Sequence, residues 1–455
     1  MQVEDKHLTQ GVRDLLGEPK KAIRKLSVPM MFGMLVQSIY SVVDGFWVAG
    51  LGADELASIG LFFPFFIILI AIGMGIGVGG SSAISRRIGE RNKEGASNTA
   101  VHTLILGLTI ALVLTFSALP FIKGIFISLS SSDRIGFLAA DYARIIFAGS
   151  VFVIFSNVAN AVLRGEGDAK RAMYGLMLGS GLNIILDPIF IYILDFGVVG
   201  AAIATIISLM VTSLLFIYWL FIRRNTYVDI IFKDFKYKKE ILKEILSVGL
   251  PSSLSQLSMS ATMVFLIIII EIVNGDDGVA VFTSGWRIVM LGVIPLLGLA
   301  TGVTAVTGAA FGAKDKCKLR TAYLYAIKIG VIIELSVGVI IAVFASQVSY
   351  IFTYSKEAAH ISADLVRFLR ITAIFYPTVP LGMLTSAMFR GIGMGTRSLI
   401  VTILRTIILQ VPIAYLFSIV FGLGLTGVWI GLVLGNILAV IVTFAWGRVT
   451  IARVL

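Results

Sequence analysis

The stretch MMFGMLVQSIYSVVDGFWV, Met30–Val48, decides the fold. Its 19 residues are apolar apart from a few small or amide side chains and one acid, Asp44. That length at about 1.5 Å per residue crosses most of a hydrocarbon core of roughly 30 Å. A carboxylate there costs roughly 2.5–3.5 kcal/mol even on the gentler insertion scale, so it is kept where it faces a wet cavity and binds something. A second run of the same kind, Met177–Leu194, carries Asp187.

Composition extends this reading to the whole chain. Of 455 residues 58% are hydrophobic and 14% charged, with a mean hydropathy of +0.97. A soluble domain carries about 25% charged residues, so lipid must solvate much of this one. The pattern predicts an all-α polytopic protein of twelve spans: 22–49, 57–84, 99–122, 136–163, 172–194, 198–222, 244–273, 279–306, 321–345, 361–388, 398–420 and 424–447.

The net charge of +11 is a matter of topology. Of the 37 lysines and arginines, 28 fall in the N-terminal stretch through Lys25, in the loops after even-numbered spans and in the C-terminal tail. Loops after odd-numbered spans hold three, Lys123, Arg134 and Lys356. By the positive-inside rule both termini are expected in the cytoplasm, and nucleic acid is not an expected partner. The segment before the first span has no signal-peptide pattern and is expected to be a short amphipathic cytoplasmic helix. Cys317 is the single cysteine, which excludes an intramolecular disulfide, and His7, His102 and His360 lack ligand spacing.

The chain is a tandem repeat. Leu26-Ser27-Val28-Pro29 returns as Leu246-Ser247-Val248-Gly249-Leu250-Pro251, and Arg164-Gly165-Glu166-Gly167 returns as Arg390-Gly391-Ile392-Gly393. Six spans per copy is an even number, so the copies are parallel about an axis along the membrane normal. The expected organisation is an N-terminal segment 1–21, a first lobe 22–222, a linker 223–243, a second lobe 244–447 and a tail 448–455. Two lobes with a cleft between them suit alternating access, and a monomer suffices because the cleft lies within one chain.

Helix rise places the first lobe's polar groups at one level. Asp44 is about 8 Å from the outer end of its span, and Asp187 and Thr205 about 10 Å. Asn183, one turn before Asp187, shares its face. Asp44, Asp187, Asn183 and Thr205 are therefore candidates to bind Na⁺ through hard oxygens, or a proton through paired carboxyls; the alternative is a closed hydrogen-bond network with Arg144 at its rim. Tyr142, Gln37, Asn157 and Met177 are expected to complete a substrate cavity, with packing the other reading of Asn157. Pro29 and Pro188 are candidate bend points. The second lobe lacks this set: Gln410-Val411-Pro412 stands where Asp187-Pro188 would, and Glu334 is its one deep acid, a candidate functional group that otherwise pairs with Lys328 or lies exposed at a lobe edge. No Walker-type glycine run, nucleophile or cofactor motif points to an enzyme or an ATP-driven pump.

These residues resemble the multidrug and toxic compound extrusion (MATE) family, in its prokaryotic DinF-like branch. The likeness rests on Ser27-Val28-Pro29, Asp44-Gly45-Phe46, Arg164-Gly165-Glu166-Gly167-Asp168 and Leu182-Asn183-Ile184-Ile185-Leu186-Asp187-Pro188. It implies a plasma-membrane antiporter that exports amphipathic organic cations in exchange for Na⁺ or H⁺, without a cofactor, and Asp44, Asn183, Asp187 and Thr205 match its coupling site. The alternative within the same superfamily is a flippase for lipids or lipid-linked oligosaccharides, for which Arg287, Arg367 and Arg370 would supply cations.

Overall fold

Proline and glycine divide the chain into helices of membrane length. The computed structural model describes residues 8–130, 132–231, 235–354 and 358–454; His7 and Lys356 lie outside them. A short helix, Gln10–Leu16, is capped by the Thr9 side chain and buries Val12 and Leu15. Span 1 then runs unbroken from Pro19 to Ala49, with its leading proline where a missing N–H costs nothing.

The remaining spans follow in order. Span 2 is Ala53–Gly89, span 3 Lys93–Ala118, and span 4 a pair of helices, Asp133–Ala148 and Ser150–Gly165, bent by 49°. Gly149 makes that bend, at a point too close to Ile206 of span 6 to admit a Cβ. Spans 5 and 6 each end in a wider π turn, Ile189–Ile193 and Tyr218–Ile222. Spans 7 and 8 share one helical run, Lys239–Gly312, broken at Gly275 with φ 60°. Without a Cβ, glycine alone takes that conformation at little cost. Spans 9 to 12 are Lys316–Val343, Ala359–Gly391, Gly395–Val420 and Gly424–Val454. Short helices the sequence reading did not separate, Ile122–Leu129 and Ala345–Thr353, follow spans 3 and 9.

Among the described residues ten runs are long and apolar enough to cross a membrane, and bent span 4 makes eleven. The 74-residue run Lys239–Gly312 would be about 110 Å long as one rod. Folded back at Gly275 it supplies two spans, giving twelve.

Contacts collect the loops after even-numbered spans, the short helix Gln10–Leu16 and the end of span 12 on one face, here the basic face. Lys93 pairs with Asp229 at 2.6 Å, Arg171 reaches the Asn225 carbonyl, and Asn98 donates to the Lys236 carbonyl. Lys318 donates to the Leu16 carbonyl and Lys316 to that of Ala452. On the other face Arg134 meets Asp54 and Glu55, and His360 meets Asp277.

The lobes touch in their basic-face halves. Glycines there let backbones approach closely: a Cβ on Gly298 would lie 2.6 Å from the Met31 nitrogen, and Gly79, Gly89 and Gly312 abut the carbonyls of Ile245, Ala309 and Arg86. Glu244 of span 7 clamps the junction, taking Arg86 and Arg87 of span 2 at 2.8 Å each. The floor on the basic face is thus closed.

Candidate functional site

The site is built on spans 1, 4, 5 and 6 of the first lobe. Asp187 is the last residue before Pro188, where span 5 passes from α-helix into the π turn Ile189–Ile193. A π turn and a proline both disturb the regular backbone ladder, and such breaks cluster at functional sites. Tyr192, in that turn, donates to the Trp47 carbonyl of span 1 at 2.5 Å, which ties the two spans together one turn beyond Asp44.

Asp187 is fully buried and neither of its carboxylate oxygens has a hydrogen-bond partner. Asp44 is its charged neighbour across the gap from span 1. Asn183, 2% exposed, donates through Nδ2 to Thr205 Oγ1 at 3.4 Å and leaves its Oδ1 buried and unpaired. Three buried acceptor atoms therefore lack donors on one helix face. Nearly all buried polar atoms in proteins are paired, and each exception asks for a ligand or a strained role. Among the described residues no lysine or arginine pairs with these acids: Arg144, nominated for that place, is exposed and pairs with Asp141 at 3.5 Å. Two facing carboxyls and an amide oxygen without a counter-charge suit a small cation or a proton. The residues present thus fit Na⁺ held by Asp44, Asp187, Asn183 and Thr205.

Tyr142 joins this group, within electrostatic range of both acids, while its ring packs edge-on to Phe62 at 5.1 Å. Tyr40 does so too, among Asp44, Tyr142, Asp187 and Thr205. The sequence reading passed over Tyr40, although its place one turn before Asp44 on the same stripe was the available signal.

Other nominated residues lie elsewhere. Gln37 is exposed two turns below Asp44, and Met177 is 39% exposed on span 5. Asn157 donates to the Val153 carbonyl of its own helix at 2.8 Å and packs its Cβ on Gly73 of span 2. Pro29 sits inside the unbroken helix of span 1, near the Met31–Gly298 contact between lobes. In the second lobe Glu334 is neither paired with Lys328 nor at an edge. It is wholly buried, with both oxygens unpaired, beside Tyr376, whose hydroxyl is also unpaired. Arg287, Arg367 and Arg370 are exposed, and Arg367 pairs with Asp364.

With this geometry in hand, comparison with known proteins places the chain. The MatE family model matches residues 29–189 and 251–416, one segment in each lobe, and the chain belongs to that family. It is a multi-pass membrane transporter and not an enzyme. It is 29% identical to the multidrug export protein MepA of Staphylococcus aureus (strain MRSA252) over 411 residues, covering 90% of this chain and 89% of MepA. It is 56% identical to a solved transporter of the MOP superfamily from Pyrococcus furiosus Vc1 (DSM3638), described as having a binding pocket of reverse polarity that suggests a different function. That match has a TM-score of 0.95 and covers 98% of this chain and 99% of the other. A MATE crystal structure in a straight conformation and another in a bent one, each 56% identical, superpose with TM-scores of 0.95 and 0.93; each covers 98% of this chain, and 99% and 98% of the other.

Proposed function

We propose that the chain is a secondary multidrug efflux transporter of the plasma membrane, exchanging amphipathic organic cations for a coupling Na⁺ or H⁺. The single observation that carries the coupling is the set of unpaired buried acceptors, both oxygens of Asp187 and Oδ1 of Asn183, facing Asp44. The export of drugs by the related MepA supports the substrate class. The basic face is the cytoplasmic one by the positive-inside rule, which puts both termini inside. The closed floor then makes this an outward-facing state, with the ion site in the outer half of the first lobe.

The ion acts by biasing span 1. Asp44 sits on that span and Asp187 on span 5, so neutralising their mutual repulsion lets the two approach and changes the shape of the cavity beside them. Relatives are described in a straight and in a bent conformation, and the element proposed to bend here is span 1, with Pro29 inside its helix as the weak point. No intermolecular contact is needed for this cycle, and lipids enter as solvent.

The test is export of a fluorescent cationic drug from proteoliposomes under an imposed Na⁺ gradient and then an imposed pH gradient, for the native protein and Asp187→Asn. Transport driven by one gradient and absent in the variant names the ion. Folded native protein that neither gradient drives would overturn the reading.

A further inference from the structure

The repeat carries two arginines to the closed floor between the lobes. Arg164 ends span 4 and Arg390 ends span 10, each opening one copy of the Arg-Gly-x-Gly pair. Both loops seat on the same turn of span 2. A Cβ on Gly165 would lie 2.9 Å from Ser81 Cα, and Ser82 Oγ donates to the carbonyls of Arg390 and, at 3.2 Å, Gly391. A third arginine, Arg405 of span 11, has Nη1 3.5 Å from where a Cβ on Gly382 would sit, two turns before Arg390 on span 10. The charges of Arg164 and Arg390 oppose each other, as do those of Arg390 and Arg405.

All three guanidiniums are half-buried and have no hydrogen bond, ion pair or ring contact among the described residues, and the Nε atoms of Arg164 and Arg390 are buried. The nearby acids are engaged elsewhere. Glu244 holds Arg86 and Arg87, Asp168 holds Arg171 at 3.3 Å, and Glu166 takes the backbone N–H groups of Tyr227 and Val228. A carboxyl in such a place can take up a proton and become neutral, but a guanidinium does not deprotonate in proteins. Like cations withdrawn from water without a counter-charge are unfavourable, and none of the acids among the described residues is paired with these three.

We propose that Arg164, Arg390 and Arg405 form an anion site that takes a phosphate group, its oxygens bridging the two lobes across the closed floor. Arginine forks match phosphate oxygens in pairs, which suits a tetrahedral anion between two guanidiniums. Since Arg164 belongs to one lobe and Arg390 to the other, the bound group holds the floor shut and its departure leaves two repelling charges that favour opening. The phosphate can be inorganic or the headgroup of an anionic lipid, and the same three side chains would read either.

The test uses the purified full-length protein in a neutral detergent. Equilibrium binding and the thermal unfolding midpoint are measured against inorganic phosphate, against dioctanoyl phosphatidylglycerol, and against chloride at equal ionic strength. Saturable binding is expected in at least one of the first two arms, with a raised midpoint and no matching effect of chloride. Binding of inorganic phosphate identifies the free anion as sufficient, and binding of the lipid alone identifies the headgroup. Arg164→Gln and Arg390→Gln are each expected to weaken that binding about tenfold or more, the loss of one charge-assisted contact. Arg223→Gln, in the linker, is expected to leave it unchanged. Should a glutamine variant fail to fold, Arg164→Lys and Arg390→Lys keep the charge but lose the fork and are expected to weaken binding with the midpoint preserved. Absence of saturable binding in both arms, or native affinity in the arginine variants, overturns the proposal.

Discussion

Asp187→Asn should make the protein more stable and useless as an ion-coupled transporter at once. The substitution exchanges one carboxylate oxygen for an NH₂ donor at a point where both oxygens of Asp187 and the Oδ1 of Asn183 are buried acceptors without partners. Leaving one such group unpaired costs about 1–3 kcal/mol. The new amide can satisfy the Asn183 oxygen one turn away, and it removes the charge that faces Asp44. In Na⁺-free buffer the variant is therefore expected to exceed the native protein by about 1–3 kcal/mol. Saturating ion offsets most or all of that lead: Na⁺ at a hundred times its Kd adds about 2.7 kcal/mol to the native protein, and little to a variant that has lost the central ligand. The assay is thermal unfolding in detergent with and without Na⁺, or across pH if the proton is the coupling ion, beside transport in proteoliposomes. A variant less stable than native in Na⁺-free buffer, or one that keeps the ion-dependent rise, would refute the assignment of those orphaned acceptors to a cation.

Other substitutions test neighbouring parts of the argument. Glu166 lies in the loop beyond span 4, accepts the N–H groups of Tyr227 and Val228 at 2.9 and 3.1 Å, and so fastens the linker to the first lobe. Burial pushes its carboxyl up to about 8 from an ordinary 4.5 despite those two bonds. Between those values the native state holds the extra proton, so this group's contribution to stability is full below pH 4.5 and is lost as pH rises toward 8, by at most about 1.4 kcal/mol per pH unit. Glu166→Gln should flatten the fall in unfolding midpoint over that window, and an unchanged slope would exclude Glu166 as its source. Gly79→Val drives a side chain into the Ile245 carbonyl at the lobe junction, an overpacking worth about 1–3 kcal/mol against the closed floor. In a Cys317→Ser background, a Ser82→Cys reporter should then react faster with a membrane-impermeant thiol reagent; equal rates would show that the junction yields without opening. Tyr40→Phe should weaken ion-driven transport about tenfold while leaving the unfolding midpoint near native, because the ring's packing is kept and only the hydroxyl among the acids is lost.

The parts of this structure that could be read from sequence are those where chemistry conflicts with surroundings. Asp44 and Asp187 stand out because a carboxylate in an apolar run has few structural excuses, and Asn183 and Thr205 follow from helix geometry. Tyr40 escaped because a tyrosine in such a run is ordinary on both lipid-facing and buried surfaces, so its place one turn before Asp44 was passed over. Glu334 was legible as the second lobe's deep acid, but not its surroundings: spacing puts Lys328 within sight along the chain, yet Lys328 is exposed while the carboxyl is enclosed. The bend at Gly149 was hidden because glycine in a membrane helix more often serves close packing than a turn, and here it does both against Ile206.

The duplicated halves show how far a repeat can be trusted. Backbone irregularities repeat in part: span 5 widens at Ile189–Ile193 just after Pro188 and span 11 at Leu416–Val420 shortly after Pro412, but span 11 also widens before its proline, at Leu404–Gln410. The side chains at the break do not repeat. Asp187 presents two unpaired acceptors, whereas the second lobe offers Gln410, a neutral amide 5% exposed, in the corresponding stretch. An uncharged amide can be buried with local partners, while an unpaired carboxyl needs a cation or a proton. At the break in the helix Asp187 gives the first lobe such a group and Gln410 does not give the second one, where the buried acid, Glu334, lies on another span. The arginines diverge in the opposite sense: Arg164 and Arg390 are repeated, and Arg405 is added in the second lobe alone. On the two proposals made above, sites of opposite charge share one duplicated frame, a cation site within the first lobe and an anion site where the lobes meet. In that scheme the closed floor holds Arg164 and Arg390 together and neutralising Asp44 and Asp187 frees span 1, so each half of the proposed cycle has a charge repulsion that its own ligand removes.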